Sequence, residues 1–504
     1  MKSLLAGVVL FYSSGFVPLA GAQNVAAPSL DSIARELVTA INSRAAEARG
    51  SFITQRLSSS VSPSDRAAIL ALLDALHEDS GGLEVLRIEP IGSGRFITAR
   101  ARAVPRLALL NIAPDRNYPD KLAVVEVLKS WNPKTDSIGW PDKRLAGGRA
   151  VVDVISRNVE ALSAVGAFSG VVLVGRGDSI LFERAYGWAN LEDSVRNTPD
   201  SRITIASIGK MFTATAIGQL IVAGKLSFDD TLARLLPEYP NPDRARQITI
   251  RQLLGHTAGL GNLFDDSAYS ANRDYASPLE LASVVADRPL LFPPGSKWSY
   301  SNEGYVVLGA VIEKISGERY DDYLRRHIFT PAGMSHTGNF GPDDVVPHRA
   351  VGYRHHANDP LAVRSPYGNR TFVRKGSPAG GEYTTAHDLW RFSRALLAGR
   401  ILDPTVRDSL WVGRSPLPWD RTQRYGYGVI ASSDGARSLL GHGGGGSGTG
   451  IDNEFRFSRD GSYAVIVLAN IDPPAASDLA PALVKFLAAQ ALPANRLTDR
   501  ARSH

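Results

Sequence analysis

Cysteine is absent from all 504 residues, which removes disulfides, thiolate nucleophiles and thiolate metal ligands whatever the compartment. Beyond the N-terminus no segment has the length and apolarity to span a bilayer, a task that takes about 20 consecutive apolar residues. Runs of like charge are missing too. Lys+Arg 56 against Asp+Glu 50 gives a net charge of +6, yet the basic residues are scattered and unlike a nucleic-acid arm, so nucleic acid is not an expected partner. Nor do the signatures of several other enzyme classes occur. No serine has glycine at both two-residue offsets, which removes the nucleophile elbow. His77-Glu78 lacks the second histidine of a zincin, His355-His356 reads as a solvated loop, and no Gly-Lys-Ser/Thr phosphate cradle appears. Neither a metal nor an organic cofactor is implied.

What is present is globular in composition: 44% hydrophobic and 21% charged residues, in a chain long enough for two or three domains. Lys2 precedes an apolar stretch from Leu4 to Leu19, and Ala20-Gly21-Ala22 supplies small residues before Gln23. This predicts a signal peptide over residues 1–22 and a periplasmic or secreted protein. The alternative is an uncleaved anchor, but Ser13, Ser14, Gly15 and Pro18 interrupt the stretch.

Helical periodicity runs from Leu30 to Ala46, through Ile33, Leu37 and Ile41, and again from Ser62 to His77. Three strand-like segments follow, Leu83–Ile88, Phe96–Ala101 and Leu122–Val127. Residues 27–131 thus read as a small α+β domain, which resembles the nuclear-transport-factor-2-like pattern and carries no catalytic constellation. A Pro- and Gly-containing stretch over 132–149 reads as a linker. Residues 150–492 form the second domain. A helix over Ala150–Val165 leads to strands Gly170–Gly175 and Ile180–Tyr186 around a Gly177-Asp178 turn. A long helical region comes next, then strands at Tyr427–Ala431, Ser438–Leu440, Ile451–Phe457 and Tyr463–Leu468, and a helix over Ala476–Leu492. Strands split between the two ends imply an antiparallel sheet closed by distant segments, with an all-helical subdomain beside it.

Three short motifs carry chemistry. In Ser207-Ile208-Gly209-Lys210, which opens a helical pattern, the three-residue offset puts hydroxyl and amine on one helix face. Serine needs a base, and lysine supplies one only if burial lowers its pKa; the apolar residues around Lys210 make that plausible. The competing reading, that Ser207 only caps the helix, is weakened because no other lysine has serine three places before it. Tyr300-Ser301-Asn302 follows Pro293-Pro294-Gly295. A phenol beside a cation should have a lowered pKa and shuttle a proton, with Asn302 holding substrate or Lys210. Tyr-x-Asn recurs at Tyr239–Asn241 and Tyr367–Asn369, so context selects Tyr300. His442-Gly443-Gly444-Gly445-Gly446 lies between two strand patterns, where glycines let a substrate approach the backbone. The N–H groups of Ser207 and Gly445 could there form an oxyanion hole. His336-Thr337-Gly338 spells a similar motif in a loop context.

In this order and spacing the motifs resemble the superfamily of class C β-lactamases, D-alanyl-D-alanine peptidases, D-aminopeptidases and related esterases. The likeness runs from about Arg149 to Leu492 and takes in Ile248–Leu260, Gly380–Leu389 and Val465–Asn470. It implies an α+β, β-lactamase/transpeptidase-like fold and a serine hydrolase that needs no cofactor. Ser207 would be the nucleophile, Lys210 and Tyr300 its bases, Asn302, His442 and Gly444 substrate contacts, and Ser207 and Gly445 the oxyanion donors. The expected substrate is a small ester or a short, D-amino-acid-containing amide. A β-lactamase or D-alanyl-D-alanine carboxypeptidase is the alternative; the third motif of typical β-lactamases is Lys-Thr-Gly, and a histidine in place of its lysine weakens the case for penicillin hydrolysis. A non-catalytic peptidoglycan- or partner-binding protein would have no need of an intact Ser207, Lys210 and Tyr300.

Overall fold

The computed structural model describes residues 28–490, apart from 62, 92–93, 104–106, 116–117, 119, 130–138, 142, 266–268, 270–272, 357–358, 368–374, 434–436 and 447–448. The expected signal segment over 1–22 and part of the expected linker lie outside the described residues.

Helix α1 (Leu30–Asn42) starts where the Ser29 hydroxyl accepts the Ser32 N–H, and it buries Ile33, Leu37, Val38 and Ile41 on one face. It stops four residues before the sequence pattern predicts, because Ser43 is extended, and a second helix, α2 (Ala46–Arg56), begins at once. After α3 (Pro63–Ser80) come four antiparallel strands in meander order: β1 (Leu83–Ile91), β2 (Gly94–Ala101), β3 (Leu107–Pro114) and β4 (Leu122–Lys129). Strand β3 was not expected. Its run Leu107-Ala108-Leu109-Leu110 has no alternation, and a short continuous apolar run does not separate strand from helix by period. One face of the sheet joins the helices in a core around Leu37, Leu73, Ile97, Leu110 and Val125. On the other, Phe96 is 1% exposed and packs on Trp419 at 6.2 Å between ring centroids, while Glu89 pairs with Arg421. The N-terminal domain therefore rests on the second domain through a specific face.

That second domain opens with α4 (Gly148–Ala164) and the hairpin β5 (Gly170–Arg176) and β6 (Ser179–Tyr186), turned at Gly177 with φ 56°. The other strands of its main sheet come from the far end of the chain: β7 (Ser415–Pro416), β8 (Arg424–Tyr425), β9 (Ile430–Ser433), β10 (Ser438–Gly446), β11 (Ile451–Ser458) and β12 (Tyr463–Ala469). They form one antiparallel eight-stranded sheet in the order β7-β8-β9-β10-β11-β12-β5-β6. Gly170 pairs with Ala469, so the two ends of the domain meet in the middle of the sheet. The strand expected over Tyr427–Ala431 starts only at Ile430, because Gly426–Val429 forms a turn, closed by Gly426 N–H to Val429 C=O at 2.7 Å, between β8 and β9. Terminal helix α5 (Ala475–Ala489) and α4 cover one face of the sheet through Val154, Ile155, Leu479 and Leu483. The other face packs on a mostly helical region that includes the helices Lys210–Val222 and Asn302–Ser316. This is the β-lactamase/transpeptidase-like fold, preceded by a small α+β domain.

Candidate active site

Ser207 sits on a single 3₁₀ turn, Ala206–Gly209, that runs into the helix Lys210–Val222. In 3₁₀ geometry residues three apart eclipse, so the tighter turn aligns Ser207 with Lys210 more directly than the uniform α-helix expected from sequence. Ala206 has φ 42°, a left-handed conformation rare for a residue with a side chain. Strain of this kind is characteristic of functional sites. Ser207 is half-buried and Lys210 fully buried, so only the hydroxyl faces an approaching molecule. No side-chain cap bond occupies Ser207 at the helix start.

Lys210 Nζ stands 3.0 Å from Ser207 Oγ and donates to Asn302 Oδ1 and to the Ala379 carbonyl, both at 2.6 Å. It also lies 4.8 Å from the centre of the Tyr300 ring. Burial lowers the Lys210 pKa well below the ordinary lysine value, and only an ionised Glu382 would act in the opposite direction. Asn302 is held in turn by its own Nδ2, which donates to Asn262 Oδ1 at 2.9 Å. Tyr300 reaches the group because it directly precedes the helix Asn302–Ser316, whose cap Ser301 accepts the Gly304 N–H and donates to the Gly261 carbonyl. Its hydroxyl shares a hydrogen bond with Ser207.

For Tyr300 the electrostatics run against the sequence expectation. Burial raises its pKa, and the Ser207 bond offsets only part of the rise. The neighbouring lysine does not offset this, since burial disfavours its charged form as well. Tyr300 is therefore a phenol, suited to donating or relaying a proton rather than to acting as a phenolate base.

The glycine-rich motif forms the end of β10, alongside the Ser207 turn. A Cβ at Gly444 would fall 2.0 Å from the Ile205 carbonyl oxygen, so only glycine allows this contact. Gly445 is exposed at the rim. His442 is buried, with Nδ1 2.5 Å from the Gly443 carbonyl and Nε2 3.1 Å from the Tyr425 hydroxyl. Burial, above all, pushes its pKa down to about 3. It is thus a neutral ring whose two nitrogens already have partners, and neither is free for the substrate contact expected of it. The similar motif at His336–Gly338 lies elsewhere, near Thr384 and Asp388.

Sequence reasoning had placed His256 in a structural signature only. Its ring centre lies 4.4 Å from that of Tyr300, and its Nδ1 accepts the Ser301 N–H, so it buttresses the phenol. Tyr425, through His442, and the Ala379 carbonyl also escaped notice. A backbone acceptor leaves no residue-type signal, but His256 could have been suspected as the histidine that follows the apolar Leu253-Leu254 pair in that motif.

A family model described as Beta-lactamase matches residues 155–490. The chain belongs to the β-lactamase family. Penicillin-binding protein 4 of Amycolatopsis lactamdurans is 31% identical over 223 residues, 43% of this chain and 56% of that protein, so the match spans little more than half the relative. Among solved structures, a penicillin-binding protein from Bacillus halodurans is 29% identical with a TM-score of 0.57, covering 67% of this chain and 98% of the other. A D-stereospecific amidohydrolase from Streptomyces sp. is 27% identical with a TM-score of 0.55, over 64% of this chain and 96% of its own. Members of the β-lactamase family are serine hydrolases. Among the described residues no group of His, Asp or Glu could hold a metal ion, and no helix is long and apolar enough to cross a membrane.

Proposed function

We propose that this protein hydrolyses a carboxylic ester or a short D-amino-acid amide through an acyl-enzyme on Ser207. The observation that carries the reading is the environment of Lys210 Nζ. A neutral amine has two hydrogens and one lone pair, and the two carbonyl oxygens at 2.6 Å take the hydrogens. The lone pair is left for the Ser207 hydroxyl at 3.0 Å.

In the proposed sequence Ser207 gives its proton to Lys210 while Oγ attacks the substrate carbonyl carbon. The oxyanion that forms is held by the N–H groups of Ser207 and Gly445. Tyr300 donates its hydroxyl proton to the departing alcohol or amine as the C–O or C–N bond breaks, and is reprotonated from Lys210. Water then attacks the acyl-enzyme, passing a proton back through the same groups, and releases the acid. Asn302 keeps Lys210 oriented, and the Gly443–Gly445 edge accepts the substrate backbone or acyl chain. Neutral His442 contributes by holding Tyr425 and places no fixed charge opposite a substrate carboxylate, which disfavours efficient penicillin turnover. The D-stereospecific amidohydrolase among the structural neighbours supports the amide side of the reading.

Ser207→Ala should abolish p-nitrophenyl ester turnover and labelling by a fluorophosphonate, a loss of about 10³-fold or more. Intact-mass analysis after incubation with esters, D-alanyl peptides and β-lactams should give an increment on Ser207 from at least one of the first two classes. Turnover that survives the substitution overturns the assignment, and rapid hydrolysis of a chromogenic cephalosporin would move the protein to the β-lactamases proper.

A further inference from the structure

Glu382 is a buried carboxyl that the chemistry above leaves unused. It is 0% exposed, and neither carboxyl oxygen has a hydrogen-bond partner among the described residues. A Cβ on Gly209 would fall 1.9 Å from Glu382 Oε2, so the carboxyl lies directly against the back of the Ser207–Lys210 turn. The backbone around it clamps that turn. Ile205 N–H donates to the Glu382 carbonyl at 2.8 Å, Gly381 N–H to the Ala206 carbonyl at 3.1 Å, and the Ala379 carbonyl receives Lys210.

The titratable groups that face Glu382 are few. Lys210 comes from the nucleophile helix. The helix Tyr320–Leu324 brings Tyr320, whose hydroxyl is 2.7 Å from Thr213 Oγ1, and Asp321, whose carboxylate is engaged by Lys375 at 2.6 Å and Asn339 at 2.8 Å. Among the described residues no cation pairs with Glu382 directly. Burying an unpaired carboxylate is far more costly than burying a neutral carboxylic acid. Desolvation, with a contribution from Asp321, accordingly raises its pKa to about 8, against the opposing influences of its own backbone N–H and of Lys210.

We propose that Glu382 is a positioning residue for the nucleophile turn, seated as an uncharged acid so that Lys210 faces no buried anion and stands as a free amine. This rests on the acyl-enzyme reading of Ser207 and Lys210. An ionised Glu382 would draw a proton onto Lys210 and would oppose the oxyanion forming at the Ser207 N–H.

The test is Glu382→Gln, which keeps the shape and cannot ionise. At about pH 6.5 its kcat/KM for p-nitrophenyl acetate should lie within about threefold of the parent, with the same acidic limb. As the pH rises through about 8 the parent should lose rate and the Gln variant should not. An infrared difference spectrum, parent minus variant, should show the C=O stretch of a protonated carboxylic acid near neutral pH, fading over the same interval. A carboxylate band at about pH 6.5, a parallel alkaline loss in both proteins, or a gain of about tenfold in the variant would each overturn the proposal. The infrared band needs no turnover, whereas the acyl-enzyme reading fails on absent Ser207 labelling, so the two failures are separable. Should the amide not fold, Glu382→Met, neutral and of similar volume, gives the same readouts.

Discussion

At Lys210 function and stability oppose one another. Below the ordinary lysine pKa of about 10.4 the unfolded chain takes up a proton that the buried amine refuses, so folding weakens as pH falls until the buried amine is protonated as well. Lys210→Met should therefore raise stability at neutral pH by about 1 kcal/mol or more, and the gain should shrink toward about pH 10, as measured by urea midpoints at both values. The same variant should lose esterase activity by about 10³-fold, because the amine proposed to take the Ser207 proton is gone. Equal stability of the two proteins at neutral pH would mean that Lys210 carries its proton in the fold. His256 and His442 share this logic, since burial disfavours their charged forms and keeps two more cations away from the site.

At the level of elements, the site is a meeting of a 3₁₀ turn, a helix start and a strand end, and the closeness of that meeting is what Gly444 permits. Gly444→Ala would drive a methyl into the Ile205 carbonyl, a backbone atom that cannot swing aside. The expected result is a loss of about 1–3 kcal/mol in the urea midpoint together with slowed fluorophosphonate labelling of Ser207. Normal labelling would place the tolerance elsewhere than in this contact. The motifs that bring Ser207, Lys210 and Tyr300 together were legible because each couples a reactive residue to a change of periodicity. The strands at both ends of the second domain were legible too, through continuous Val, Ile and Leu. What escaped the sequence had physical reasons. Leu107–Pro114 lacks alternation, the break at Ser43 depends on backbone conformation, and the turn at Gly426–Val429 hides between two short strands. Glu382 reads as an ordinary surface-type acid until the fold buries it, and the Tyr300 pKa shifts up, not down, because the fold buries the phenol.

On the scale of the whole molecule, the N-terminal domain and the catalytic domain are joined by an aromatic row. Phe96 packs on Trp419, Trp419 on Trp298 at 5.9 Å, and Trp298 on His256 at 6.1 Å, which itself abuts Tyr300. Phe96→Ala should cost about 3 kcal/mol of stability and shift tryptophan emission to longer wavelength as water reaches Trp419. Unchanged emission would show that the two domains do not share this contact in solution.

The pairing of Gly170 with Ala469 sets an order of events as well as a shape. The central seam of the sheet joins segments made early and late in synthesis, and contacts so distant in sequence form slowly. The Gly444 strand end that backs the Ser207 turn belongs to the late group. A ribosome-bound chain that has already released Ser207 and Lys210 still lacks the wall beside them, so the site stays incomplete until nearly the last strand has emerged.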